Sequence, residues 1–226
     1  MSDYASSLDI LNQTVLGAVV TWLHDVMQFD ISTAAYNPVD DVETDFTRLR
    51  ETSPETNLSP WPGLVVTRGD IASMLNPKSQ SWKFTSPYEG GAVDKQINYR
   101  LVEMEYALKV YCQTLQQCEY LLNQLIVLNP TKVPFYYHIP WVEPQQFECV
   151  MTLKLPGTES KTVTDDARKT EGQFYCVKLT PTIRALLIAV PAAAPKVTKI
   201  YYTVLDQQAN RRLDGVIITN TGVTHN

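Results

Sequence analysis

Between Asn98 and Pro130 the chain passes from one hydrophobic period to another without a break. Val102, Met104, Tyr106, Leu108, Val110 and Cys112 alternate with Glu103, Glu105, Ala107, Lys109 and Tyr111. A period of two lays one apolar row along one face of a sheet. Thr114 and Gln117 follow at the spacing of a capping box, in which each side chain satisfies a backbone donor at a helix start. Leu115, Cys118, Leu121, Leu122 and Leu125 then recur at helical spacing as one apolar stripe. Asn129-Pro130 stops the helix, because the residue before a proline is pushed out of helical geometry. The unit predicts one long strand followed at once by one helix, a scaffold with no chemistry visible in it.

The rest of the chain is arranged around that unit. Leu8 to Gln28 is an amphipathic helix, with Leu8, Leu11, Val15, Val19, Trp22, Leu23, Val26 and Met27 mostly on one side. Asp30 to Pro60 is acidic, rich in Thr and Ser and punctuated by Pro38, Pro54 and Pro60; it reads as an extended loop or arm with a short helical turn near Phe46 to Arg50. Leu64 to Thr67 is a short strand entered through Pro62-Gly63. Gly69 to Gly91 is a turn-rich loop, broken by Asn76-Pro77, Ser86-Pro87 and Gly90-Gly91, with a brief strand at Trp82 to Phe84. Phe135 to Ile139, bounded by Pro134 and Pro140, reads as an edge strand, since proline cannot donate to a ladder. Phe147 to Leu155 and Gln173 to Leu179 are strands, separated by a polar, mobile loop over Gly157 to Gly172. Thr180 to Val190 reads as strand or short helix, the apolar run Leu186 to Val190 favouring strand. Pro191 to Pro195 reads as a linker, and Ile200 to Leu205 with Val216 to Thr219 as a hairpin reaching away from the core.

These elements predict an α/β (α+β) fold: a mixed, largely antiparallel sheet with helices packed on one face, extended loops and a C-terminal β-hairpin arm. The expected division is a core over residues 1–190 and an extension over 191–226. A chain of 226 residues is long enough for one substantial core.

Charge and composition narrow the function classes. A net charge of -5, with no basic cluster beyond Arg211-Arg212, argues against direct nucleic-acid binding, which needs clustered cations. Leu8 to Met27 is interrupted by Asp9, Asn12, Gln13, His24 and Asp25, so it is neither a membrane span nor a signal peptide. Cys112, Cys118, Cys149 and Cys176 lie in apolar runs and read as buried free thiols. His24, His138 and His225 stand apart from one another. The sequence holds no H-E-x-x-H, zinc-spaced cysteine pair, nucleophile elbow, P-loop or dinucleotide fingerprint. Asp40-Asp41 lacks the further ligands and glycine turn of a calcium loop. Glu103 and Glu105 are the polar alternation of a half-exposed strand before they are an acid–base pair. No catalytic residue, cofactor or metal is expected.

The order of features carries one likeness. A helix, a loop, a short Leu-Val-Val strand and a long loop lead to the alternating strand Arg100 to Cys112, and a helix rich in Gln, Leu and Asn follows directly. This resembles the tail terminator, tail completion and sheath-stabiliser proteins of tailed bacteriophages. The most telling segment is Tyr106 to Pro130, and the likeness runs from about Trp61 to Leu179. The acidic segment and the hairpin lie outside the pattern of the smallest members. The resemblance implies a structural protein of the virion, assembled in the host cytoplasm. It would form a sixfold ring at the head-proximal end of a contractile tail and touch tube, sheath and neck proteins. A neck or baseplate adaptor and a small enzyme with a composite site are the alternatives. A ring subunit needs contact surfaces on two sides. The exposed aromatic edge Phe135, Tyr136 and Tyr137 and the hairpin residues Ile200, Tyr201, Tyr202, Val216 and Ile217 are the expected contacts, through strand addition or wrapping.

Overall fold

The structure, a computed structural model, describes residues 7–53, 60–74, 80–85, 94–138, 146–153, 161–164, 173–188, 199–206 and 211–218. Helix α1 (Ser7–Asp25) leads to strand β1 (Thr33–Tyr36), helix α2 (Val42–Thr52) and strands β2 (Gly63–Met74), β3 (Gln80–Thr85) and β4 (Asp94–Cys112). Helix α3 (Leu115–Leu128) comes next. Strands β5 (Lys132–His138), β6 (Gln146–Thr152), β7 (Lys161–Thr164), β8 (Gln173–Leu179), β9 (Thr182–Ile188), β10 (Lys199–Asp206) and β11 (Arg211–Ile218) complete the chain. The predicted breaks at Asn76-Pro77, Ser86-Pro87 and Gly90-Gly91, the linker Pro191 to Pro195 and His225 lie outside the described residues.

Strand β4, of 19 residues, is about 60 Å long and serves as the spine of the sheet. One edge is paired by β2 along Val102–Tyr111 and by β3 along Asp94–Tyr99. The other edge is paired by β9 along Tyr99–Glu105 and by β8 along Leu108–Cys112. β8 and β9 keep one unbroken register on β4: Leu108 faces Leu179 and Glu105 faces Thr182. Between them the Tyr106 N–H donates to the Pro181 carbonyl at 2.9 Å. Proline at that position removes a donor and so divides one long partner in two. Beyond it the sheet forks, with β7 pairing on β8, while β6, β5, β10 and β11 continue from β9. All pairings are antiparallel except that of β1 with β2. The largely antiparallel α+β architecture read from the periods is therefore present.

Alternation along β4 builds two cores. Val102, Met104, Tyr106, Leu108, Val110 and Cys112 join the main cluster, with α1 above them through Ile10, Leu11, Val15, Val19, Trp22 and Leu23 and α3 through Cys118, Leu121 and Leu125. Ser7 ties the start of α1 to the end of β9, its hydroxyl donating to the Ile188 carbonyl at 2.8 Å. Tyr106 crosses the core to donate to Asn12 Oδ1 at 2.8 Å. The capping box of α3 is formed as spaced, with Thr114 and Gln117 exchanging bonds, and Asn129 ends the helix in the left-handed region at φ 42°. The second cluster lies on the opposite face, where α2 packs Phe46 and Leu49 against Val65, Tyr111, Phe174 and Cys176. The expectation that the helices pack on one face is therefore corrected: α1 and α3 cover one face and α2 the other, because the polar row of β4 turns apolar at Ala107 and Tyr111 and that end needs a cover of its own.

Five local expectations change. The short strand read at Leu64 to Thr67 runs on to Met74, through the start of the stretch read as a loop, because β4 is long enough to pair it. The acidic segment after Asp30 is built into the fold, since β1 pairs with β2 and α2 seals the second face. Gly63 opens β2 beneath that helix; a Cβ there would stand 2.8 Å from Leu49 Cδ1. The polar stretch Gly157 to Gly172 contains β7, which pairs with β8. β5 is an inner strand between β6 and β10: Pro134 stands within the β6 ladder opposite Val150, and β10 pairs on the other edge along Phe135–Tyr137, past the proline. The C-terminal hairpin is present as β10–β11, and β10 extends the sheet by pairing with β5 instead of reaching away.

Thr114→Ala removes the oxygen that caps Gln117 N–H, and it is expected to cost about 1 kcal/mol in urea unfolding with the m-value unchanged.

Candidate functional site

The densest chemistry lies under α2. The Asn37 amide N–H donates to the Val66 carbonyl at 2.9 Å as β1 ends, and its side-chain Oδ1 accepts from Val39 N–H, which fixes the turn into the helix. Asp41 caps α2, its carboxylate accepting from the Thr44 N–H at 2.9 Å and from the Thr44 hydroxyl at 2.7 Å. One turn in, Asp45 is fully buried. Its Oδ1 accepts from Asn37 Nδ2 at 2.7 Å, and its Oδ2 accepts from Tyr111 Oη at 2.6 Å and Lys109 Nζ at 2.5 Å. Lys109 Nζ also meets Asp40 Oδ1 at 2.5 Å, and Asp40 Oδ2 receives Lys178 Nζ at 3.1 Å. Two carboxylates and two ammoniums therefore balance, with Lys109 buried and Asp40 and Lys178 half-exposed.

Burial presses the Lys109 ammonium towards neutrality, and hydrogen bonds to Asp40 and Asp45 outweigh it, so the group sits above the ordinary lysine value. Lys109, and then Lys178, hold the Asp40 carboxyl below the ordinary carboxylate value against partial burial. Burial keeps the Tyr111 phenol neutral far above its usual range. Beside the network stand four rings: Phe46 lies 5.1 Å from Trp61, 4.9 Å from Tyr111 and 5.1 Å from Phe174, and the Arg50 guanidinium covers Phe46 at 5.9 Å. Both carboxylate oxygens of Asp45 are engaged from within the fold, by three hydrogen bonds, which makes this network a tie between α2, β4 and β8. Its buried position was missed in the sequence because Lys109 falls on the polar row of β4; the signal was that Ala107 and Tyr111 on that row are not polar.

The other candidates are also engaged. Glu103 Oε2 accepts from Arg184 Nε at 2.6 Å across the β4–β9 pair, and Glu105 is exposed. The pair of carboxylates is therefore split, with one neutralised. His24 bonds Asp25 at 2.7 Å at the end of α1 and lies 3.3 Å from Asp30, and the bond to Asp25 raises its pKa. Gln146 Nε2 lies 2.9 Å from His138 Nε2 on the β5–β6 pair. All four cysteines are free and buried, and burial pushes the Cys112 and Cys176 thiols up to about 12. Such thiols are inert at neutral pH. Among the described residues no group of three or more His, Cys, Asp or Glu is arranged to hold a metal ion.

The expected contact residues fall in different places. Phe135 and Tyr137 are fully buried in the main core, where the Tyr137 hydroxyl donates to the Leu186 carbonyl, and Tyr137 stands 5.7 Å from Phe147. Their expected exposure is corrected: alternation along an inner strand turns both rings under α1. Tyr136, between them, lies on the opposite face and is half-buried. Tyr202 pairs with Tyr137 across β10–β5, Ile200 with Ile217 and Tyr201 with Val216 across β10–β11.

Among the residues whose burial is described, exposed apolar side chains gather on α3. Among the described residues the exposed large hydrophobics are Val39, Leu101, Leu115, Tyr120, Ile126 and Val127, and the last four belong to α3. Ile126 is 61% exposed and Val127 69%. The same outward face carries Gln116, Glu119 and Asn123, so Glu119 is its single charge. Tyr120 leans back on the segment that follows α1, stacked on Phe29 at 6.4 Å. Four large hydrophobic and three polar residues therefore share this outward face. No protein-family model matches the chain, and no curated protein matches it.

Lys109→Met leaves Asp45 as a buried, unpaired charge and is expected to cost about 3–5 kcal/mol in denaturant unfolding; the double variant Lys109→Met/Asp45→Asn should recover a large part of that loss. Acid should act through Asp40. Its folded pKa is depressed, so its contribution is present above the ordinary carboxylate value of about 3.9 and is lost as pH falls through the lower folded value. Asp40→Asn should therefore lower the thermal midpoint at pH 7 and flatten its fall between pH 5 and pH 2 (about the window in which carboxylates titrate).

Proposed function

We propose that this chain is a non-enzymatic structural subunit of a tailed-phage virion. In this reading it forms a sixfold ring at the head-proximal end of a contractile tail, where it ends the tube and stabilises the sheath or joins it to the neck. The observation that carries the reading is the outward face of α3, an apolar surface with one charge, placed directly after the long strand that shapes the subunit. The sequence order of long strand, capped helix and Asn-Pro stop, which supports the resemblance to tail terminator and sheath-stabiliser proteins, is present in the fold. The buried charges favour the same reading, since Lys109, Asp45 and Tyr111 are spent on holding elements together. A net charge of -5 fits partners that are proteins better than nucleic acid. No described helix is long and apolar enough to cross a membrane.

Native mass spectrometry of the purified chain, with negative-stain microscopy of the same sample, tests this. Rings with a sixfold axis that bind the end of a purified tail tube are the expected result. A strict monomer at tens of micromolar that binds neither tube nor neck proteins would overturn it.

A further inference from the structure

We propose that Lys109 and Asp45 condense into an amide that ties β4 covalently to α2. The inference goes beyond the assembly reading and does not depend on it. Lys109 Nζ stands 2.5 Å from Asp45 Oδ2 and 2.5 Å from Asp40 Oδ1. A charge-assisted N–H···O bond is about 2.7–2.9 Å long, so the amine is pressed closer to two carboxyl groups than an ion pair requires. Only one of the two is sealed. Asp45 is fully buried and the Lys109 side chain is 5% exposed, whereas Asp40 is 50% exposed. The Asp45 carboxyl carbon, one bond beyond Oδ2, is the electrophile, and Asp40 is left to carry protons.

The surroundings favour the amide over the ion pair. Lys109 and Asp45 are 64 positions apart in sequence, and the fold holds them as reactants in contact. Keeping two charges in an interior costs desolvation that their attraction only partly offsets. An amide is neutral, and its formation releases one water from a site beside the rings of Phe46, Trp61 and Tyr111. Water that would reverse the reaction is excluded from the buried carbon. Both carboxyl oxygens also have a donor in place, Asn37 Nδ2 on Oδ1 at 2.7 Å and Tyr111 Oη on Oδ2 at 2.6 Å.

The atoms balance as follows. A proton passes from Nζ to Oδ2 along their contact, which leaves a neutral amine and a neutral acid, the forms that burial favours. Hydrogen bonds to Asp40 and Asp45 keep the ammonium as the resting form, so the neutral pair is scarce and the reaction slow. The Nζ lone pair attacks Cγ and forms the C–N bond. Negative charge moves to Oδ1, where the Asn37 Nδ2–H already donates. Nζ then gives its surplus proton to Asp40 Oδ1. The electron pair on Oδ1 returns to carbon, the C–Oδ2 bond breaks, and the Oδ2 hydroxyl takes that proton from Asp40 and leaves as water. No atom changes oxidation state. Asp40 ends as it began, ionised and 3.1 Å from Lys178 Nζ, so the charge pair that survives is the half-exposed one.

Intact mass spectrometry of the full chain, purified folded, aged at neutral pH and then denatured, tests the proposal, with tryptic mapping of the same sample. The expected mass is one water below that of the sequence. The peptide ending at Arg48 should be joined to Leu101–Lys132, because trypsin does not cut at an acylated Lys109. Lys109→Met and Asp45→Ala should each keep the full mass of their sequences. Asp40→Asn, which cannot carry the proton, should form the link at least about a hundredfold more slowly. An unaltered chain that stays at full mass overturns the proposal. So does a water lost within the single peptide ending at Arg48, which marks an imide and not a cross-link. If Asp40→Asn links at the unaltered rate, the route assigned to the proton is overturned. The unaltered chain decides the bond itself, so a variant that folds poorly does not obscure the result. Native mass reads assembly separately, and either reading can fail without the other.

Discussion

The fold depends on satisfying the backbone of one strand. β4 offers donors and acceptors along two edges for 19 residues, and buried backbone groups must be paired. No neighbour in the chain is long enough to pair a whole edge, so each edge takes two: β2 with β3 on one side, β8 with β9 on the other. The consequences reach through the molecule. The division at Pro181 lets the sheet fork, and the fork separates the region roofed by α2 from the region that carries β6, β5 and the hairpin.

A second constraint follows from the first. The end of β4 that runs between β2 and β8 is covered on both faces, and one of its residues there is Lys109. A buried ammonium must be paired or lose its charge. Asp45 and Asp40 come from the segment that wraps this end, and their geometry fixes where α2 sits. Packing of Phe46 and Leu49 alone would allow a helix of this composition some freedom on the sheet; a carboxylate that accepts three hydrogen bonds leaves little.

The ionisable groups brought together by burial serve the interior, while among the described residues four of the six exposed large hydrophobics lie on α3. The central strand and its helix form the scaffold, and the outer side of the same helix is the surface the scaffold presents. The hairpin expected to supply contacts is a continuation of the sheet, and two of the three aromatic residues expected on an edge are core residues.

Local pattern was enough for elements whose environment is local. The alternation of β4, the stripe and capping box of α3, the helix α1 and the hairpin were legible because the period of a strand or helix is written in consecutive residues; that α1 is covered on nearly all sides, exposing only Asp9 and His24, was not. The run Phe135 to Tyr137 reads as one exposed edge, although strand alternation sets Tyr136 on the face opposite Phe135 and Tyr137, and nothing local says that both edges of that strand are occupied. The helical turn read near Phe46 to Arg50 is the middle of α2, but tertiary structure alone decided that Asp30 to Pro60 also carries a strand and that its helix roofs the sheet, since its few apolar residues gain their meaning from Val65, Tyr111 and Phe174, far away in sequence. It also decided that Lys109 is a buried ion and not a solvent-facing one. Which face of a sheet is covered depends on what packs against it, and that partner is chosen by the whole chain.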